Sequence, residues 1–312
     1  MKNEHKALAV LAGIVSSSIF GLSFLFSKMA LSEAGIYELL SFRFLTAFLI
    51  MSVLSLLKII RLDYKGKNIK GLLILGLMEP VIYFIFETYG IKFSSSSIAG
   101  LMISLIPIGV VILSAYFLKE KPSVSQTGFI ILSVLGVMFI GIMGSSNSGN
   151  SSLLGIILLI GAVLSAGMFT IISRRLSKNF TPMELTYSMM AMGAVFFNFV
   201  SIVQHLMNNN IKNYFSPLMN TKFLISIGYL GILSSIIAYF LINFTLSKIE
   251  ASKSSVLSNI STIVSIAAGV IFLKETFQYY HLIGSLMILL GVWGTNHFEP
   301  KNITKTEVLE EN

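Results

Sequence analysis

An all-α integral membrane fold, with ten spanning helices in two inverted five-helix repeats and both termini cytoplasmic, is predicted by three observations. The chain is 54% hydrophobic and 12% charged, with a mean hydropathy of +0.83, whereas an ordinary soluble domain carries about 25% charged residues. Ten apolar stretches, each close to the roughly 20 residues that cross a bilayer, occupy most of its 312 residues. The fourth and fifth stretches reappear as the ninth and tenth. Phe117-Leu118-Lys119-Glu120 returns as Phe272-Leu273-Lys274-Glu275, and Leu135-Gly136-Val137 as Leu290-Gly291-Val292, both after 155 residues. Five is an odd number of crossings, so the second copy enters the bilayer from the opposite side.

The spans are expected near 7–31, 37–58, 69–90, 96–117, 124–143, 152–173, 184–206, 222–246, 252–273 and 278–297. The first is longer than the apolar core of a signal peptide, and the repeat needs it as a helix, so it belongs to the fold. Orientation follows from the basic residues. Lys58, Arg61, Lys65, Lys67 and Lys70 lie between the second and third spans, and Lys119, Lys121, Arg174, Arg175, Lys178, Lys248 and Lys253 fall in alternate loops on that same side. Together with Lys2, Lys6, Lys301 and Lys305 they place both termini inside. This one-sided distribution accounts for the net charge of +8, so nucleic acid is not an expected partner.

The expected organisation is a first repeat over 1–144, an external linker over 145–151, a second repeat over 152–297 and a polar cytoplasmic tail over 298–312. Weaker echoes join the remaining helices. Gly21, Ser27 and Lys28 match Gly167, Ser173 and Arg174 after 146 residues, as Glu38-Leu39 matches Glu184-Leu185. The change from 146 to 155 needs extra residues in the second copy, most simply around Asn208–Leu218. Inverted repeats that meet near the midplane are the architecture of many secondary transporters.

On these residues the chain resembles the drug/metabolite transporter superfamily in its ten-helix EamA branch. The two segments ending in Phe-Leu-Lys-Glu carry the resemblance, each followed by a glycine-containing apolar helix closing on Leu-Gly-Val. Pro107 matches the proline common in the family's fourth helix, and the second copy has Thr262 at the corresponding place. The resemblance implies a gradient-driven carrier working by alternating access, with spans one, three, four, six, eight and nine around a central cavity. It specifies fold better than cargo, because relatives move amino acids, nucleosides, sugar derivatives, amines and drugs.

Glu79 is the leading candidate for substrate contact. It lies about ten residues into the third span, roughly 15 Å deep at 1.5 Å per residue. A carboxylate there must face a polar cavity, find a partner or stay protonated. Each of these states suits binding a cationic group or a coupling proton; the competing reading is a packing hydrogen bond. Pro80 directly after it frees a backbone carbonyl one turn back and adds local polarity. Gly76, Glu79, Tyr83, Phe86, Glu87 and Gly90 share one stripe at helical spacing, and carboxylates between aromatic rings suit an organic cation. Glu87 is read either as part of that site or as a partner for Arg43 or Lys28. Arg43, inside the second span, is expected to pair with Glu87 or Glu38, or to extend to the interface, with a gate or anion-binding role as the alternative.

The second half offers neutral counterparts. Tyr239 and Asn243 are four apart on the eighth span, and Ser258 and Asn259 lie on the ninth. Asn259 aligns with Ser104, a position polar in both copies, so cavity lining competes with interhelical bonding for these residues. Phe20 and Phe24 on the first span are candidates for an apolar wall. Gly136, Gly141 and Gly144 on the fifth span and Gly284, Gly291 and Gly294 on the tenth read as close-packing faces, used between these two helices or against a second copy of the chain.

No enzyme, cofactor or metal is expected. The chain has no Cys, no GxGxxG, GxxxxGK[ST] or HExxH motif, and its four histidines do not cluster. The expected partners are a small-molecule substrate, the lipid bilayer and, in one reading, a coupling proton. The favoured cargo is a small amphiphilic amino acid or amine, with a positive group suggested by the two carboxylates. The alternatives are a proton-coupled carrier of a neutral or anionic metabolite, and a non-transporting membrane enzyme or scaffold. Composition rich in Lys, Ile and Asn points to a bacterial source and so to the plasma membrane.

Overall fold

The computed structural model describes residues 2–93, 105–120, 122–144, 153–273 and 277–298, and among them it is helical without strands. The first half contains α1 (Lys2–Leu31), α2 (Ile36–Leu56), α3 (Lys70–Gly76), α4 (Tyr83–Phe93), α5 (Ile106–Phe117) and α6 (Val124–Gly144). The second contains α7 (Leu153–Leu176), α8 (Pro182–Met207), α9 (Thr221–Gly228), α10 (Tyr239–Lys248), α11 (Ala251–Leu257), α12 (Ile260–Leu273) and α13 (Tyr279–His297). Wide π-type turns, Leu77–Ile82 and Tyr229–Ala238, join α3 to α4 and α9 to α10. Among the described residues eight helical runs are long and apolar enough to cross a membrane, and Ile106–Phe117 is a shorter apolar helix.

Packing pairs α2 with α8, α4 with α7 and α6 with α13, while α1 lies against α10 and α12. The principal core brings Phe44, Met51, Leu75, Phe169, Leu185, Met190 and Phe197 together from both halves. Apolar side chains such as Leu8, Leu49, Ile112, Phe199 and Leu289 point outward, a surface suited to lipid tails. Gly136, Gly284, Gly291 and Gly294 make close contacts within the chain. A Cβ on Gly136 would come within 2.7 Å of the Gly284 carbonyl oxygen, and one on Gly291 within 2.6 Å of the Phe129 carbonyl oxygen. These close approaches fix the α6–α13 seam. Trp293, half-exposed, stacks on His297 with ring centroids 4.9 Å apart.

Three expected helices are interrupted. The third span is broken at Glu79, which has extended backbone (φ −143°, ψ 120°) and a cis peptide bond to Pro80. Proline disfavours the α conformation in the residue before it and donates no hydrogen bond itself. The eighth span widens at Tyr229–Ala238. The ninth tightens at Ser258 and Asn259, whose amides bond three residues back to Ser255 and Val256. No proline is needed there, since the Ser258 hydroxyl bonds the Ser255 carbonyl at 2.6 Å and competes with the helical pattern.

The region around Asn208–Leu218 forms short 3-10 turns, Ile211–Asn213 and Ser216–Met219, with Tyr214 buried against Phe42. The first Phe-Leu-Lys-Glu segment is a helix stop. Lys119 takes a left-handed φ of 57°, and the Glu120 amide reaches back to the Ser114 carbonyl at 3.3 Å.

Candidate substrate site

Glu79 is buried, and the break in its helix turns its carboxylate toward the second half of the chain. Tyr239, the first residue of α10, donates its hydroxyl to Glu79 Oε1 at 2.6 Å. The Tyr239 ring is held edge-on by Phe20 at 5.3 Å and by Phe169 at 6.3 Å. The backbone of the turn is held as well, because the Ser165 hydroxyl donates to the Met78 carbonyl at 2.6 Å. Gly193 leaves room for Pro80, whose Cγ would be 2.8 Å from a Cβ at that position.

Arg43 is the second charged centre, and its partners differ from those expected. It bonds neither Glu87 nor Glu38 and does not reach the interface; it is buried and donates from Nε to Ser235 Oγ at 2.8 Å and from Nη2 to Ser234 Oγ at 3.0 Å. Its guanidinium also lies over the rings of Phe84 at 5.0 Å and Phe44 at 5.3 Å. The widened turn of the eighth span presents both serines to it. Glu87 accepts from the Tyr83 hydroxyl, one turn earlier in α4, at 2.9 Å. Both Glu79 and Glu87 are close enough to Arg43 for appreciable Coulombic attraction. The cluster therefore sets two carboxylates against one guanidinium, and with both carboxylates ionised it lacks one positive charge.

The break also divides the predicted stripe. Gly76 faces Met192, and Phe86 and Gly90 pack on Gly161 and Leu159 of α7. Phe86 thus sits in the α4–α7 seam, away from the bond between Tyr83 and Glu87. Asn243 is fully buried, accepting from Ser173 at 2.6 Å and donating to Thr186 at 3.1 Å, so it ties α10 to α7 and α8. Asn259 donates to Ser133 of α6 at 3.0 Å, and Ser258 bonds its own helix. These three make the interhelical or local bonds of the competing reading. Ser104 lies outside the described residues, as does the side chain of Phe24. Among the described residues no group of histidines and carboxylates could hold a metal ion.

The model of the EamA-like transporter family matches residues 7–142 and 153–296. The chain belongs to the EamA-like transporter family. It is therefore a multi-pass membrane protein of a transporter family. It is 40% identical over 296 residues to YcxC, an uncharacterised transporter of Bacillus subtilis, covering 95% of each chain. An uncharacterised transporter of Archaeoglobus fulgidus is 30% identical over 276 residues, covering 88% of this chain and 94% of that one. A solved crystal structure superposes with a TM-score of 0.75 at 15% identity, covering 93% of this chain and 98% of the other, and shares the fold.

Within this EamA-family chain, sequence reasoning missed Ser234, Ser235 and Ser165. A serine in an apolar helix usually bonds its own preceding turn, so residue type alone carries no signal. The adjacent Ser234-Ser235 pair inside an otherwise apolar stretch was the available hint.

Proposed function

We propose that this chain is a gradient-driven carrier of a small amphiphilic metabolite bearing a positive group, an amino acid or an amine, across the bacterial plasma membrane. It works by alternating access, with ten spans in two inverted five-helix repeats and both termini inside. The two stretches matched by the family model support the division into halves. The observation that carries the cargo assignment is the buried Glu79 carboxylate, bonded by Tyr239 of the other half, in a cluster that is one positive charge short when both carboxylates are ionised. A substrate ammonium group or a proton supplies the missing charge, so the two compete for one place. Such competition couples substrate movement to a proton gradient without ATP.

The second reading is a proton-coupled carrier of a neutral or anionic metabolite. Arg43 favours it, because both of its side-chain hydrogen bonds go to neutral serine hydroxyls, so no carboxylate is bonded directly to the guanidinium and a substrate anion could take that place. Counterflow in sealed vesicles, with a panel of radiolabelled amines and amino acids, separates the two. On the favoured reading amines exchange in the parent and lose exchange in Glu79→Gln. Exchange of acids alone, abolished by Arg43→Gln, supports the second reading. Absence of counterflow for every solute, with the protein folded and inserted, overturns both.

A further inference from the structure

Both ends of α8 are held by a glutamate at the third position of a helix, its start to the loop between α2 and α3 and its last turn to the start of α2. Glu184 in α8 accepts from Lys67 Nζ at 2.8 and 2.9 Å, from the Asp63 amide at 2.9 Å and from the Thr181 amide at 2.8 Å. Glu38 in α2 accepts from the Gly35 amide at 2.6 Å and faces His205 Nε2, in the last turn of α8, at 2.9 Å. The two glutamates are the pair matched after 146 residues. One clamp is closed by a lysine, a fixed cation, and the other by a histidine, whose ordinary charge change falls between about pH 5 and 8.

Hydrogen-bond stoichiometry states what the second clamp requires. His205 Nδ1 lies 2.9 Å from the Ser201 carbonyl oxygen, which can only accept. Nε2 faces Glu38 Oε1, and Oε2 of the same carboxylate is taken by the Gly35 amide. With a neutral ring and an ionised carboxylate, one of the two contacts sets lone pair against lone pair. Both are satisfied when the pair holds one further proton. The other described titratable groups facing the pair are Tyr37 and Tyr89, whose hydroxyls bond each other at 2.7 Å, and Tyr214, whose ring meets His205 edge-on at 5.4 Å. None of these is a cation. Glu38 and His205 also line a cavity of about 360 Å³ between α2, α4 and α8 that is open to solvent, which gives protons a path.

We propose that Glu38 and His205 form a proton-binding clamp that ties α2 to α8 and loosens when the proton leaves. It rests on the reading above only for its side of the membrane, which that orientation makes external. The proton is then sensed where the gradient is set.

The test uses the full chain with His5→Gln, His281→Gln and His297→Gln, so that His205 gives the one histidine ring signal. Nitrogen NMR of the labelled ring is followed from about pH 8 to about pH 5. The expected result is a doubly protonated ring that persists to higher pH with Glu38 present than in the Glu38→Gln background. A neutral ring throughout, or a titration unmoved by Glu38→Gln, overturns the proposal. Should the triple variant not fold, backbone hydrogen exchange on the unmodified chain decides. Protection at residues 36–40 and 201–207, corrected for intrinsic rates, must rise between about pH 8 and about pH 6; no rise overturns the clamp. Sidedness is read separately with Asn210→Cys in this cysteine-free chain. Labelling of that thiol only from the inside overturns the orientation and leaves the clamp standing.

Discussion

The Tyr239 hydroxyl donates to Glu79 Oε1 at 2.6 Å, across 160 residues of sequence and between the two halves of the chain. The acceptor exists because the pre-proline break turns Glu79 out of its helix, and the donor sits where the widened eighth span becomes regular again. Any motion of one half against the other must strain or exchange this bond. Tyr239→Phe leaves a buried acceptor unpaired, which costs about 1–3 kcal/mol, more than the roughly 0.6 kcal/mol of an average bond in a membrane helix bundle. The check is a double-mutant cycle on thermal unfolding. Tyr239→Phe should lower the melting temperature of the parent clearly, and much less when Glu79→Leu, which leaves no acceptor for the hydroxyl, is already present. Strictly additive effects would refute a direct coupling.

Arg43 makes a planar, two-pronged contact, with Nε and Nη2 on adjacent serines and phenylalanine rings within 5.0 and 5.3 Å of the guanidinium. A lysine keeps the charge but has a single nitrogen and no flat face. Arg43→Lys should therefore destabilise the protein by about 1–3 kcal/mol. Thermal unfolding in detergent measures this; a melting temperature equal to the parent's would show that charge alone suffices at this position.

These two centres show how far residue pattern reaches. Glu79 was legible because a carboxylate deep in an apolar span is costly wherever it points, and Tyr239 was legible as an aromatic residue with a polar tip. Their bond was not, since it depends on how two distant spans are rotated. Arg43 was seen but assigned acidic partners, because opposite charge is visible in a sequence whereas two suitably presented serines are not. Asn243 lies on its expected helix and Asn259 in the tightened turn between α11 and α12, yet only packing shows that their amides meet Ser173, Thr186 and Ser133. The glycine faces were legible for the converse reason: a residue without a side chain marks close approach directly.

That close approach makes a sharp prediction. A Cβ on Gly284 would fall 2.7 Å from the Gly136 carbonyl oxygen and also press on Ile140. Gly284→Ala must push α6 and α13 apart and should cost about 1–3 kcal/mol. Gly128, on the same α6, has nothing within 4 Å of its added Cβ. Gly128→Ala should instead gain about 0.5–1 kcal/mol from reduced backbone entropy. Thermal scans of the two variants side by side test the seam. Equal losses would mean that the cost comes from replacing a glycine as such and not from the close approach of α6 and α13.

Glu120 ends the repeated Phe-Leu-Lys-Glu segment and joins three elements. Oε1 accepts from Arg174 Nε at 3.1 Å near the end of α7, Oε2 accepts from the Ala251 amide at 3.0 Å at the start of α11, and Arg174 Nη1 continues to the Leu246 carbonyl at 2.9 Å. Two effects are combined here, and their sizes separate them. A partly exposed ion pair contributes about 0–1 kcal/mol, whereas losing a side-chain cap on a helix start costs about 0.5–2 kcal/mol. Glu120→Gln keeps an oxygen for the Ala251 amide, so it should retain most of the stability. Glu120→Ala should lose about 1 kcal/mol or more and expose the amides of residues 251–254 to faster hydrogen exchange. If both variants lose equally, the charge on Glu120 rather than its cap holds α11 in place.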